Sequence, residues 1–265
     1  MHTEANGIRM RYETQGRDGA PWVTLVTGIA NDLGMWDGQM AALAPDFRIL
    51  RYDLRGHGGT QAAGEDYSIE MLSADLVALW DALDIQRTHL AGLGLGGAII
   101  QNVAIDHPDR LISLAPCCCR ARMVPDFALM WHKLIETVRQ EGIEPIVEPT
   151  AQRWFSDEFK AANPAVLDGV RQMIRSTSVE GYLGCVSAFL KLDIEDRLHR
   201  TRTPTLYVSG EQDCIGGPPA LMQGLAEKVP GARHVSVPGA AHIANLQNPG
   251  GFNAVLSGFL CGFTR

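Results

Sequence analysis

The sequence predicts an α/β fold, a doubly wound and mainly parallel sheet carrying a helical cap. Three observations predict it. Short apolar runs alternate with helical patterns, a glycine-rich turn joins one such run to a helix, and the alternation stops between about Arg120 and Asp193, where only helical periodicity remains. Strands alternating with helices imply right-handed crossovers and hence parallel neighbours. The expected divisions are a first core part at 1–119, a helical cap insertion at 120–193 and a second core part at 194–265. A chain of 265 residues fits one large α/β domain with such an insertion.

The elements follow in order. Ile8 to Thr14 alternates, with Ile8, Met10 and Tyr12 on one face, as in an antiparallel strand near a sheet edge. Trp22–Val26, Phe47–Tyr52, Thr88–Gly92, Leu111–Cys117, Thr205–Ser209 and His234–Val237 are short, largely apolar and bounded by turn residues. Such runs suit strands buried on both faces of a parallel sheet. Ser68 can cap a helix through Met71, Leu72, Leu76 and Leu79 to Leu83. Gly96–Ile105 and Phe252–Phe259 read as further core helices. In the insertion, Phe127, Met130, Trp131 and Leu134 form one helical face, Val166, Val170, Met173 and Ile174 a second, and Tyr182, Cys185, Val186 and Phe189 a third. These helices are extra packing, a cover over a pocket, or both.

Composition narrows the function classes. Apolar residues make up 46% and charged residues 20%, the balance of an ordinary globular protein, and the net charge is -7. A negative chain does not attract nucleic acid or an anionic membrane, and no apolar run approaches the roughly 20 residues that span a bilayer. Met1–Tyr12 is polar and does not read as a signal peptide. The expectation is a cytoplasmic protein, monomer or homodimer, whose partner is a small-molecule substrate. The six cysteines, Cys117, Cys118, Cys119, Cys185, Cys214 and Cys261, include no C-x-x-C pair, so neither a zinc site nor any other metal is expected. They read as reduced thiols, mostly small buried hydrophobes, with Cys117 and Cys118 kept as candidates for a ligand contact.

The chemistry gathers at strand ends, where open parallel sheets bind ligands. After Thr88–Ala91 comes Gly92-Leu93-Gly94-Leu95-Gly96-Gly97. In the G-x-S-x-G elbow a strained turn lifts a serine above the sheet, between small residues that let strand and helix approach. Gly92 and Gly96 match this pattern, and the central residue is Gly94. The string also spells G-x-G-x-x-G through Gly92, Gly94 and Gly97, the dinucleotide fingerprint of an NAD-type oxidoreductase. That reading needs an acid about 20 residues on. The next strand ends in Cys117-Cys118-Cys119 instead, so no cofactor is expected. Asp213 follows the strand Thr205–Ser209, and His242 follows the strand His234–Val237. Their joint placement after the last two strands makes them candidates for a catalytic pair.

The chain resembles the α/β-hydrolases, and within them the 3-oxoadipate enol-lactonase branch. The resemblance is carried by Met35-Trp36-Asp37, the run Arg51-Tyr52-Asp53-Leu54-Arg55-Gly56-His57-Gly58, the elbow, Arg153-Trp154-Phe155 and Glu180-Gly181-Tyr182 in the insertion, and Gly239–His242. It implies a triad in the order nucleophile, acid, histidine. Asp213 would orient His242, and His242 would be the general base. The N–H groups of Leu95 and Ile29 would hold the oxyanion, and His57 would be scaffold. It also implies a small lactone or ester substrate bearing a carboxylate. Arginine suits that group, which singles out Arg120, Arg122 and Arg153, with Trp131 and Trp154 as candidate lining. Glycine at position 94 offers no attacking oxygen, although it satisfies the backbone of the turn. Three explanations stand open. A serine has been replaced in an inactive variant; the His242–Asp213 pair activates water or a substrate proton directly; or the protein is a non-catalytic binder, a receptor or scaffold.

Overall fold

The computed structural model describes residues 1–263. It contains one eight-stranded sheet. Strands β1 (His2–Ala5), β2 (Ile8–Gly16), β3 (Trp22–Val26), β4 (Arg48–Tyr52), β5 (Thr88–Leu93), β6 (Leu111–Cys117), β7 (Leu206–Gly210) and β8 (Arg233–Val237) lie in the order β1-β2-β4-β3-β5-β6-β7-β8. β1 and β2 pair antiparallel with each other, β2 pairs antiparallel with β4, and every remaining pairing is parallel. The apolar runs become the central strands because burial on both faces requires apolar residues throughout: all six residues of β5 are buried. β2 alternates as its sequence does, with Ile8 and Met10 in the core.

β2 lies near the sheet edge and pairs antiparallel, as its alternation implies, and β1 adds outside it, pairing His2 with Arg11 and Ala5 with Ile8. β1 is short and polar, so it carries no hydrophobic signal. It is held by its ladder and by the Met1 ammonium, which donates to Tyr12 O at 2.9 Å.

Helices α1 (Asp37–Leu43), α2 (Ile69–Ala82) and α3 (Leu95–Asp106) precede the insertion. Ser68 caps α2 by accepting from Met71 N–H at 3.2 Å. The insertion holds α4 (Pro125–Glu141), α5 (Glu144–Trp154), α6 (Asp157–Ala162), α7 (Pro164–Arg175) and α8 (Val179–Leu190), with no strand among the described residues. Its two ends leave and rejoin the core side by side: Ile194 N–H donates to Ala121 O at 2.9 Å and Met123 N–H to Leu192 O at 2.8 Å. The later core adds α9 (Pro219–Lys228), α10 (Ala244–Gln247) and α11 (Pro249–Cys261). α2 and α3 pack together, α3 lies on β5 and β6, and α9 lies on β7 and β8. α1, α10 and α11 pack with one another, and α11 also meets β8. No helix among the described residues is long and apolar enough to cross a membrane.

Candidate active site

The carboxyl ends of β5, β6, β7 and β8 meet under the insertion, and the β5–α3 turn forms the floor. Close packing dictates three of its glycines. A Cβ on Gly92 would lie 2.6 Å from Gly96 O, one on Gly96 would lie 2.5 Å from both Val26 O and Thr27 O, and one on Gly97 would lie 2.4 Å from Cys119 Cβ. Gly94 is different. Its backbone sits at φ 60°, ψ -119°, the strained conformation of an elbow, yet a Cβ there meets only Gly28 Cα at 3.8 Å and His242 Nε2 at 3.9 Å. The turn therefore has space for a side chain at Gly94, at the cost of backbone strain, and that side chain would face the imidazole.

Asp213, just beyond β7, is buried, and its carboxylate accepts three backbone N–H groups. Ile215 and Gly216 donate to Oδ1 at 2.9 and 3.1 Å, and Gly217 donates to Oδ2 at 2.8 Å. His242 Nδ1 lies 3.1 Å from the same Oδ2. Burial alone would push the Asp213 carboxyl up, but the His242 charge and hydrogen bond, with the Ile215 and Gly217 N–H groups, bring it below its ordinary value. An ionised Asp213 calls for the Nδ1–H tautomer of His242, which leaves the Nε2 lone pair toward Gly94. The ring is fixed from two more sides. His242 N–H donates to Trp154 O at 3.1 Å, and Gly216 lies so close that a Cβ on it would sit 1.9 Å from His242 Cε1.

Two backbone donors face the same space. Leu95 is the first residue of α3, so its N–H has no intrahelical partner. Ile29 N–H donates to no protein acceptor among the described residues. The loop carrying Ile29 is held by Ala30, a non-glycine residue at φ 60°, whose N–H donates to His57 Nε2 at 3.0 Å. His57 Nδ1 in turn lies 3.1 Å from Arg55 O. Burial holds the His57 imidazole down at about 4, so it is neutral and accepts from Ala30.

The cavity above this floor is lined by Gly28–Asn31, Leu93–Leu95, Cys118, Arg120, Phe127, Trp131, Arg153, Trp154, Tyr182 and His242, among others. Its volume is about 60 Å³, on a measure by which one water needs about 10–15 Å³, so it suits a small ligand. Phe127, Trp131 and Phe189 meet edge to face above it, with centroids 5.4 to 6.2 Å apart. Trp131 Nε1 is buried without a hydrogen-bond partner. Arg120 and Arg153 also line the cavity, and neither has a carboxylate partner among the described residues. Arg120 donates to Ile215 O at 2.9 Å and lies 4.1 Å from the Phe127 ring centroid; its Nε has no partner. Arg153 Nη1 lies 3.1 Å from Met130 Sδ. Burial pushes both guanidinium groups below their usual range, although the Asp213 charge opposes this at Arg120.

Arg122 is a correction. The sequence makes it a candidate for the substrate carboxylate, but it lies in the stem of the insertion, in an isolated antiparallel bridge to Asp193. Its guanidinium turns outward to Asp193 at 2.7 Å and Asp196 at 2.6 Å. Residues two apart in extended chain share a face, but the chain bends at Ala121 between Arg120 and Arg122, and the two guanidinium groups part. Cys117 is enclosed, with Sγ 3.3 Å from Ala115 O, whereas Cys118 and Cys119 reach the cavity wall. Asn31 also lines the cavity, with Oδ1 unpartnered; nothing in its sequence context sets it apart.

A family model described as the alpha/beta hydrolase fold matches residues 21–249. 3-Oxoadipate enol-lactonase 2 of Acinetobacter baylyi is 29% identical over 249 residues, covering 94% of this chain and 92% of that protein. The crystal structure of the enol-lactonase from Burkholderia xenovorans LB400 superposes with a TM-score of 0.94 at 33% identity, covering 98% of this chain and 100% of that one. A thermophilic esterase from Thermogutta terrifontis, solved with malate bound, gives a TM-score of 0.92 at 29% identity, covering 100% of this chain and 97% of that one.

Proposed function

The chain belongs to the α/β-hydrolase family, and on that premise we propose that it hydrolyses small lactones or esters that carry a carboxylate. The observation that carries the reading is the Asp213–His242 pair, hydrogen-bonded at 3.1 Å, with Nε2 facing Gly94 across the floor of the cavity. Residues 120–193 act as the cap over that floor.

Gly94 supplies no oxygen, so water takes the place of the side chain. The Cβ position at Gly94 is 3.9 Å from Nε2, which leaves room for a water within hydrogen-bond reach of the base. His242 takes a proton from this water, and the oxygen attacks the acyl carbon. The carbonyl oxygen becomes an oxyanion held by the Leu95 and Ile29 N–H groups. As the intermediate collapses, the acyl–oxygen bond breaks and His242 returns the proton to the leaving oxygen. Asp213 stabilises the imidazolium between these two transfers. The resemblance to enol-lactonases supports the lactone, and the malate in the Thermogutta esterase supports an acidic ligand. In a cavity of this size, two guanidinium groups with no carboxylate in ion-pair contact among the described residues support a carboxylate on the substrate.

The experiment compares a small lactone bearing a carboxylate with its neutral methyl ester. His242→Ala is expected to abolish turnover of both. Arg153→Met is expected to lower kcat/KM about 10–100-fold for the acid, the worth of a charged hydrogen bond, and to leave the neutral ester nearly unchanged. Equal losses on both substrates would refute the carboxylate assignment. The binding-protein reading is favoured by Gly94 alone, and saturable binding of the acid with no His242-dependent turnover would establish it.

A further inference from the structure

The wall beside the base carries a third donor that hydrolysis does not use. Cys118 follows β6 at φ 46°, anchored by its N–H donating to Val208 O at 2.8 Å. Its Sγ, a carboxylate oxygen of Asp213 and a ring nitrogen of His242 all lie within 4.8 Å of one another. Three successive strand ends, those of β6, β7 and β8, deliver these atoms. The loop after Asp213 locks them in place, since a Cβ on Gly217 would lie 2.5 Å from Cys118 C and 2.4 Å from Cys119 N. Cys118 and His242 both line the cavity, so a further coordination position opens toward it.

We propose that Cys118, Asp213 and His242 form a binding site for a thiophilic divalent cation such as zinc, and that its occupation disables the His242–Asp213 pair. Around tetrahedral zinc, with bonds of about 2.0–2.3 Å, the donor atoms stand roughly 3.2–3.6 Å apart. The His242–Asp213 separation of 3.1 Å is already close to that. From a separation of up to 4.8 Å the sulfur needs to move inward by at most roughly 1–1.6 Å, within the range of a side-chain rotation. A thiolate and a carboxylate neutralise the divalent charge, and the thiol proton leaves to solvent on binding. Sulfur selects zinc, cadmium or cobalt over magnesium and calcium, which prefer oxygen. An ion here draws the Asp213 oxygen or the imidazole nitrogen out of their mutual hydrogen bond, so the base is lost while the metal stays. The site departs from the sequence expectation of no metal because its ligands are neighbours only across the sheet.

The test uses a background in which the exposed thiols Cys214 and Cys261 are both replaced by serine. Cobalt(II) is titrated into the metal-free chain, and thiolate-to-cobalt charge-transfer absorption is followed. The expected result is saturation at one ion per chain, displacement by zinc, and loss of the band in Cys118→Ser. A band that survives Cys118→Ser, or no saturable binding, overturns the proposal. Should Cys118→Ser fail to fold, cadmium NMR on the background chain still decides. A shift in the range of mixed sulfur, nitrogen and oxygen ligation supports the site, and a shift without sulfur, or no bound signal, overturns it. These readouts need no substrate, so they stand or fall separately from the hydrolytic reading.

Discussion

Replacing Gly94 by serine tests the active site most directly. The side chain has room: its Cβ would meet only Gly28 Cα at 3.8 Å and His242 Nε2 at 3.9 Å, both ordinary contacts. The cost is therefore that of the backbone, since φ 60°, ψ -119° is a conformation L-residues avoid; it amounts to about 1–3 kcal/mol. For a domain of this size that lowers the melting temperature by roughly 2–12 °C, leaving the fold intact. The hydroxyl would stand between Nε2 and the Leu95 and Ile29 N–H groups. Removing a serine nucleophile from an intact triad costs about 10⁶ in kcat, and about 10³–10⁴ over water survives from binding and the oxyanion hole. In the proposed mechanism water activated by His242 recovers part of that loss, so Gly94→Ser is expected to raise aryl-ester turnover by about 10³, or roughly 4 kcal/mol. The assay is initial-rate hydrolysis of a nitrophenyl ester by both forms, with His242→Ala in each background and mass spectrometry for an acyl-serine at position 94. A folded serine variant with neither a His242-dependent gain nor an acyl adduct would refute the assignment of the elbow, the base and the oxyanion donors together.

Three further outcomes follow. Asp213→Asn removes the charge that sets the His242 tautomer, and is expected to cut turnover by about 10⁴ with KM little changed; an unchanged kcat in steady-state kinetics would contradict the pairing. Gly96→Ala places a Cβ 2.5 Å from two backbone oxygens and should destabilise by more than about 4 kcal/mol, whereas Gly169→Ala on α7 meets nothing within 4 Å and should stabilise by up to about 1 kcal/mol, both read from denaturant midpoints. His57 and His89 are held down at about 4 by burial, with the Arg87 charge adding to the effect at His89. Between about pH 6.5 and pH 4 the unfolded chain therefore takes up protons that the folded chain does not. Stability is full above that window and falls through it as pH drops, by up to about 3 kcal/mol for the fully enclosed His57; equal unfolding midpoints at pH 7.5 and pH 4.5 would be the contrary result.

Much of the framework was legible from periodicity, because a central parallel strand must be apolar throughout and a core helix must carry one apolar stripe. Trp22–Val26 and Leu111–Cys117 match β3 and β6 residue for residue. The Thr205–Ser209 run is offset by one from β7, Leu206–Gly210, since a buried loop residue and a buried strand residue look alike in sequence. The elbow was legible because its glycines answer a local steric demand. Asp213 and His242 were legible because a parallel sheet brings successive strand ends together.

What the sequence determined by itself is whatever depends on near neighbours: strand and helix periods, the Ser68 cap, the glycines of the tight turn, and the absence of an oxygen at Gly94. Tertiary structure decided which way each side chain faces and what it meets across the fold. Arg120 and Arg153 line the cavity with no ion-pair contact among the described residues, while Arg122 turns outward to Asp193 and Asp196. β1 pairs at the edge with no apolar pattern of its own. Cys118, 95 residues before Asp213 in the chain, stands beside it and His242. Each of these depends on strand register and loop packing, interactions between residues far apart in sequence, and no local pattern encodes them.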